Sequence, residues 1–118
     1  MRHRQLLLRY LLMNFKIITL TQGNISNNHI YLTTVLDLIP KDAIGGKNKL
    51  EPAPKKLEVN YLGIGESVMT DVAGDKNILR ERKCVKEFFK LHQLVSGSKV
   101  VIEKTGDFKF SVYPHTEK

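Results

Sequence analysis

Residues 80–113, RERKCVKEFFKLHQLVSGSKVVIEKTGDFKFSVY, carry the most regular pattern in the chain. Val85, Phe88, Phe89 and His92 recur at i, i+3, i+4 and i+7, which lays an apolar stripe along one face of a helix over 85–91. Gly97 follows the helix. Residues 100–104 (VVIEK) and 108–113 (FKFSVY) then flank the turn Thr105-Gly106-Asp107, and this predicts a hairpin with Phe108, Phe110 and Val112 on one face.

Upstream, the strand signals repeat in shorter pieces. Residues 57–62 alternate apolar Leu57, Val59 and Tyr61 with polar Glu58 and Asn60, as a half-buried strand does. Gly63 and Gly65 make a turn, 67–72 is a strand, Gly74-Asp75 turns the chain, and 78–82 returns. Residues 15–20 (FKIITL) are rich in β-branched and aromatic side chains, 22–28 (QGNISNN) read as a polar loop, and 29–32 (HIYL) as a second short strand. Thr33-Thr34 caps a short helix that buries Val35, Leu36 and Ile39 and ends at Pro40. Residues 41–56 hold Gly45-Gly46, Pro52, Pro54 and five lysines, so they read as a mobile basic surface connection and not as core. The expected fold class is mostly β: about seven strands and two short helices in a small barrel or sandwich.

The chain has 118 residues, enough for one compact domain, and 42% of them are hydrophobic, which supports a core. The single cysteine, Cys84, cannot form an internal disulfide and points to a reducing compartment. No apolar run approaches the length that spans a membrane. The domain is expected over 14–115, with 116–118 as a tail and 1–13 as a loosely attached extension in which Met1 and Met13 are alternative starts. Arg2, Arg4 and Arg9 interleave with leucines in that extension; a secretory signal would need an uninterrupted apolar run, and an amphipathic surface helix of this length is marginal.

Nineteen Lys and Arg against twelve Asp and Glu leave a net charge of +7, which points to an anionic partner: nucleic acid first, a membrane surface or an acidic protein otherwise. Two polar segments suit nucleic acid. Residues 22–28 offer Gln22, Asn24, Ser26, Asn27 and Asn28, and the stretch 70–83 offers Lys76, Asn77, Arg80, Arg82 and Lys83. Arginine grips guanine bidentately, asparagine reads adenine, and lysine neutralises phosphate. Asp71, Glu81 and Lys83 also fit the loose D…ExK pattern of Mg²⁺ nucleases. His3, His29, His92 and His115 lack metal-ligand spacing, so no metal or cofactor is implied. His92 reads as a hydrogen-bonded core histidine and Cys84 as a small buried hydrophobe.

The order HIYLTTVLDLIPKDAIGG (29–46), VMTDV (68–72) and RERKCVKEFFKLHQLVSGSKVVIEKTGDFKFSVY (80–113) resembles the DNA-binding pseudobarrel superfamily. That superfamily includes plant B-three transcription-factor domains and the recognition domains of the restriction endonucleases EcoRII, BfiI and NgoAVII, and the restriction branch is the more similar. Ser98 departs from the Asp usual in plant members, at a turn away from the binding surface. The resemblance implies an open seven-stranded pseudobarrel with two short helices, which places two arms in the major groove of duplex DNA. The arms map to 22–28 and 72–82. Lys47, Lys49, Lys55 and Lys56 then serve the phosphate backbone. In this family cleavage belongs to a separate nuclease domain or subunit, so the chain is expected to be a cytoplasmic, non-catalytic recognition module. A basic protein-interaction module is the remaining alternative.

Overall fold

The computed structural model describes residues 14–48 and 50–116, which places the extension 1–13, Lys49 and the last two residues outside the described part. Among the described residues, eight strands form two sheets. The larger one is built on the hairpin of β7 (Lys99–Gly106) and β8 (Lys109–Pro114), antiparallel with Ile102 opposite Val112 and an irregularity between Lys104 and Gly106. Strand β1 (Asn14–Thr19) runs antiparallel along β7, and β3 (Leu57–Tyr61) runs parallel to β8, with Val59 opposite Phe110. The short β4 (Val68–Thr70) completes the order β1-β7-β8-β3-β4. The smaller sheet has the order β2 (Ile44–Gly45), β5 (Val72–Ala73), β6 (Ile78–Leu79).

Alternation along β3 sends Leu57, Val59 and Tyr61 inward, where they meet Phe110 and Val112 of β8 and Val100 and Ile102 of β7. Helix α2 (Lys83–Leu91) closes this core with Val85, Phe88 and Phe89. Phe88 is fully buried, 5.6 Å from the Tyr61 ring, and burial of a side chain of this size stabilises by about 1.5–3 kcal/mol. His92 ends α2 and donates from Nε2 to the Leu62 carbonyl at 2.7 Å, a hydrogen-bonded histidine edge-on to Phe88. Ser98 sits in the turn after α2, where its hydroxyl accepts from the Val95 amide and its carbonyl from the Leu20 amide.

Several sequence expectations are corrected. Seven strands in one open barrel become eight in two sheets, because the 67–72 segment breaks at Asp71 and passes from one sheet to the other. Residues 22–28 are not a loop: Gln22–Asn27 is a helix, α1. Residues 29–32 are not a strand, since only Tyr31 makes a single bridge, to Ile78. The helix after Thr33 is a 3-10 helix, Thr33–Leu38, without a side-chain cap, and a second one follows at Lys41–Ala43. The connection 41–56 contributes to the interior: Ala43 and Ala53 are buried and Ile44–Gly45 pairs with β5. Residues 80–82 are not a strand, because pairing stops at Leu79 and α2 begins at Lys83.

Candidate nucleic-acid interface

Helix α1 forms from a sequence with little helical propensity because its ends are fixed. Thr21 accepts the Asn24 amide on its hydroxyl, the Thr21 amide donates to Asn24 Oδ1 at 2.7 Å, and Asn28 closes the helix in the left-handed conformation at φ 54°. Asn24 is buried, and its Nδ2 donates to the His29 carbonyl at 2.9 Å while the His29 amide donates to the Asn24 carbonyl. These bonds tie the segment after α1 to the helix itself.

That segment then lies against the second arm. The Leu32 amide donates to the Asn77 carbonyl at 2.7 Å, and Tyr31 bridges Ile78. The arm is a tight turn, residues 74–77, between β5 and β6, with Asn77 left-handed at φ 55°. Gly74 permits its close approach to β2, since a Cβ there would collide with the Gly45 carbonyl; Gly45 in turn leaves room for the connection, where a Cβ would stand 2.6 Å from the Glu51 carbonyl oxygen, 2.7 Å from the Ala53 amide and 2.9 Å from Arg80 Nη2.

Arg80 and Asp71 brace this arrangement from inside. Arg80 donates from Nε to Asp71 Oδ1 at 2.8 Å and from Nη2 to the Gly46 carbonyl at 2.9 Å; the other Asp71 oxygen accepts the Ala53 amide at 2.8 Å. The Asp71 side chain is 6% exposed and that of Arg80 20%, so the pair is largely withdrawn from water. Glu81 accepts the Cys84 amide in the first turn of α2, and Lys83 opens that helix on its exposed side. The carboxylates of Asp71 and Glu81 are thus held by different partners. Among the described residues no cluster of three or more His, Cys, Asp or Glu converges to hold a metal ion, and no helix is long and apolar enough to cross a membrane. Burial, and after it the charge of Glu81, pushes the Cys84 thiol up.

Between the arms runs an open groove of about 510 Å³. Asn27 lines it from α1, Lys47 and Asn48 from the connection, Lys76 from the turn, and Arg80 and Arg82 from the strand end, over Ala73 and Ile78. His29 forms part of its wall, and Asp75 is its one acid among the described residues. Arg82 donates from Nη1 to His29 Nε2 at 3.2 Å. Guanidinium only donates, so Nε2 is the acceptor and the imidazole proton sits on Nδ1, which donates to Tyr31 Oη at 3.2 Å. Burial, then Arg82, then Lys76 holds the His29 imidazole below its ordinary range.

Five of the residues expected to bind DNA therefore meet in one groove: Asn27, Lys47, Lys76, Arg80 and Arg82. Gln22 and Ser26 do not line it; they pair with each other on the exposed surface of α1, at 3.0 Å. Asn28 and Asn77 hold turn positions, and Asn24 is committed to the cap. Lys55 stands 5.3 Å over the Phe108 ring and Lys56 is exposed. Lys49 lies outside the described residues. His29 and Asn48 were not expected in the groove, nor Tyr31 behind His29, and no spacing marks His29, whose partner Arg82 is 53 residues away.

No protein-family model matches the sequence, and no curated protein matches it significantly. The fold is similar to that of the N-terminal domain of Helicobacter pylori LlaJI.R1, with a TM-score of 0.55 over 88% of each chain at 7% sequence identity.

Proposed function

We propose that this chain is a sequence-specific duplex-DNA-recognition domain of the pseudobarrel kind, belonging to a restriction endonuclease and having no catalytic site of its own. The observation that carries the reading is the groove, where cations from the connection and the second arm face Asn27 of the first across a span open to solvent. Lysine and arginine there neutralise phosphate, and Asn27 and Arg82 are the side chains suited to base edges. Two further supports are the motif resemblance to restriction-enzyme recognition domains and the fold likeness to LlaJI.R1, whose name is a restriction-enzyme designation. In this reading α1 is a short helical arm, Gln22 and Ser26 are presented on its exposed side, and Arg80 braces the second arm from behind. A nuclease domain or subunit supplies cleavage, and the complex works on DNA in a prokaryotic cytoplasm, where Cys84 stays reduced.

Selection of bound duplexes from a random pool tests the proposal. A consensus several base pairs long is the expected result, and a pool that stays random after repeated rounds would overturn it. Incubation of plasmid with the protein and Mg²⁺ addresses catalysis: intact plasmid is expected, whereas nicking that co-purifies with the chain would restore the nuclease reading.

A further inference from the structure

We infer that His29 is a positioning residue for Arg82, which its neutral imidazole holds in a base-reading orientation and its protonation releases, so that sequence discrimination is sensitive to pH. The inference rests on the DNA-recognition reading above. The geometry around the imidazole has no slack in its proton count. His29 Nε2 accepts from Arg82 Nη1, and Nδ1 donates to Tyr31 Oη. The His29 backbone is fixed in both directions by Asn24, which makes the imidazole a rigid support at 7% exposure. Arg82, by contrast, is exposed at the groove, and one Nη1 proton given to His29 leaves its remaining N–H groups for a ligand.

The charges facing this pair make the held state conditional. From the second arm come Lys76 and, at the same turn, Asp75; from the connection comes Lys47; from the end of β6 comes Arg80, paired with Asp71; from its own segment His29 has the Tyr31 hydroxyl. Among the described residues no carboxylate is hydrogen-bonded to the imidazole, so a second proton on it meets Arg82 and Lys76 with only Asp75, across the groove, to offset them. That proton also converts Nε2 from acceptor to donor, which removes the bond holding Arg82. A freed arginine still attracts phosphate, because its charge is unchanged. It loses the fixed plane that bidentate contact with guanine requires. Acidification therefore lowers discrimination between duplexes and leaves the non-specific component in place.

The experiment has a DNA arm and a DNA-free arm. In the first, affinity for the duplex selected from the random pool and for a scrambled duplex of the same composition is measured from pH 8 to pH 5. For the wild type the ratio of the two is expected to fall by roughly tenfold toward the acid end, the scale of one bidentate contact. His29→Gln offers an amide oxygen that accepts from Arg82 and does not titrate, so its ratio stays high and flat. His29→Phe offers no acceptor, and its ratio is low at every pH. In the second arm, the Arg82 Nε–Hε resonance of the free wild-type protein is followed by NMR through the His29 titration, and it is expected to shift and broaden as His29 protonates. A wild-type ratio retained in His29→Phe, or an Arg82 resonance indifferent to His29 protonation, would overturn the inference. A wild type that binds DNA without discriminating sequences sinks the functional reading instead, and the NMR arm then decides the His29–Arg82 pair by itself.

Discussion

Arg80 donates from Nε to Oδ1 of buried Asp71 at 2.8 Å and carries its Nη2 on to the Gly46 carbonyl, so one side chain joins β6, the sheet crossing at Asp71 and the connection after β2. An arginine expected to contact bases is thus also a strut of the interface, bonded to Asp71 and Gly46 while it lines the groove.

Arg80→Ala leaves Asp71 buried without its cation, and breaking a buried pair in this way costs about 3 kcal/mol. Arg80→Lys restores a charge but not the fork that reaches both Asp71 and Gly46, so its urea midpoint is expected between wild type and Arg80→Ala. Equal midpoints for wild type and Arg80→Ala would show that the pair contributes no net stability.

Asn24 is the second residue whose role changes. Asn24→Ala removes the reciprocal cap of α1 together with the bond to the His29 carbonyl, and loss of such a cap costs about 1–2 kcal/mol. Asn24→Asp keeps the Oδ1 acceptor and loses the Nδ2 donor. Its chemical denaturation midpoint is expected above that of Asn24→Ala; a midpoint at or below it would mean that the buried carboxylate oxygen turned toward the His29 carbonyl costs more than the retained cap contributes.

The contrast between what could and could not be read from the sequence follows contact distance along the chain. Helix α2 and the β7–β8 hairpin repeat their apolar residues at the period of the element they form, so local spacing suffices. Helix α1 has no such repeat: QGNISN is helical because Thr21, Asn24 and Asn28 secure its two ends. Strands β2, β5 and β6 have two residues each and exist only through pairing with one another, which no local window contains. The lysine and proline density of residues 41–56 marks surface correctly for Lys47 and Lys56, yet conceals Ala43 and Ala53, small residues where the chain packs inward. The site follows the same rule. Its cations were visible as composition, whereas the Asp71–Arg80 brace and the His29–Arg82 pair depend on tertiary placement.

Phosphate contact by the groove has a thermodynamic signature. Each contact contributes about −0.9 to the slope of log K against log salt on duplex DNA, so Lys76→Ala is expected to reduce the steepness by about one and to weaken all sequences alike. Lys109→Ala, on an exposed position of β8 in the larger sheet and outside the groove lining, leaves the slope unchanged. Fluorescence anisotropy titrations at several salt concentrations decide this. Equal changes for the two variants would remove the groove from the phosphate-binding surface.

Tyr61 gives a test of the core. Its ring packs on Phe88, but among the described residues its Oη has no hydrogen-bond partner, and burial raises the phenol far above its ordinary range. Tyr61→Phe keeps the ring and removes the unsatisfied hydroxyl, with an expected gain of about 1 kcal/mol in unfolding free energy. A loss of similar size would reveal that the hydroxyl finds a partner in solution.

Acid sensitivity should trace to His29 as well. Burial, aided by Arg82 and Lys76, lowers its folded-state pKa beneath the ordinary 6.5, while the unfolded chain keeps about that value. Below pH 6.5 the unfolded state therefore binds more protons than the folded one. The stability contributed by neutral His29 is complete above 6.5 and is lost as pH falls through the lower folded value. Carboxylates contribute an acid limb of their own, which wild type and His29→Gln share, so the difference between them isolates the imidazole. Urea midpoints at pH 7.5 and 5.5 are expected to drop further for wild type than for His29→Gln. Parallel drops would mean that His29 protonates as easily in the folded groove as in the unfolded chain, and that the cations around it are too well screened to resist the proton.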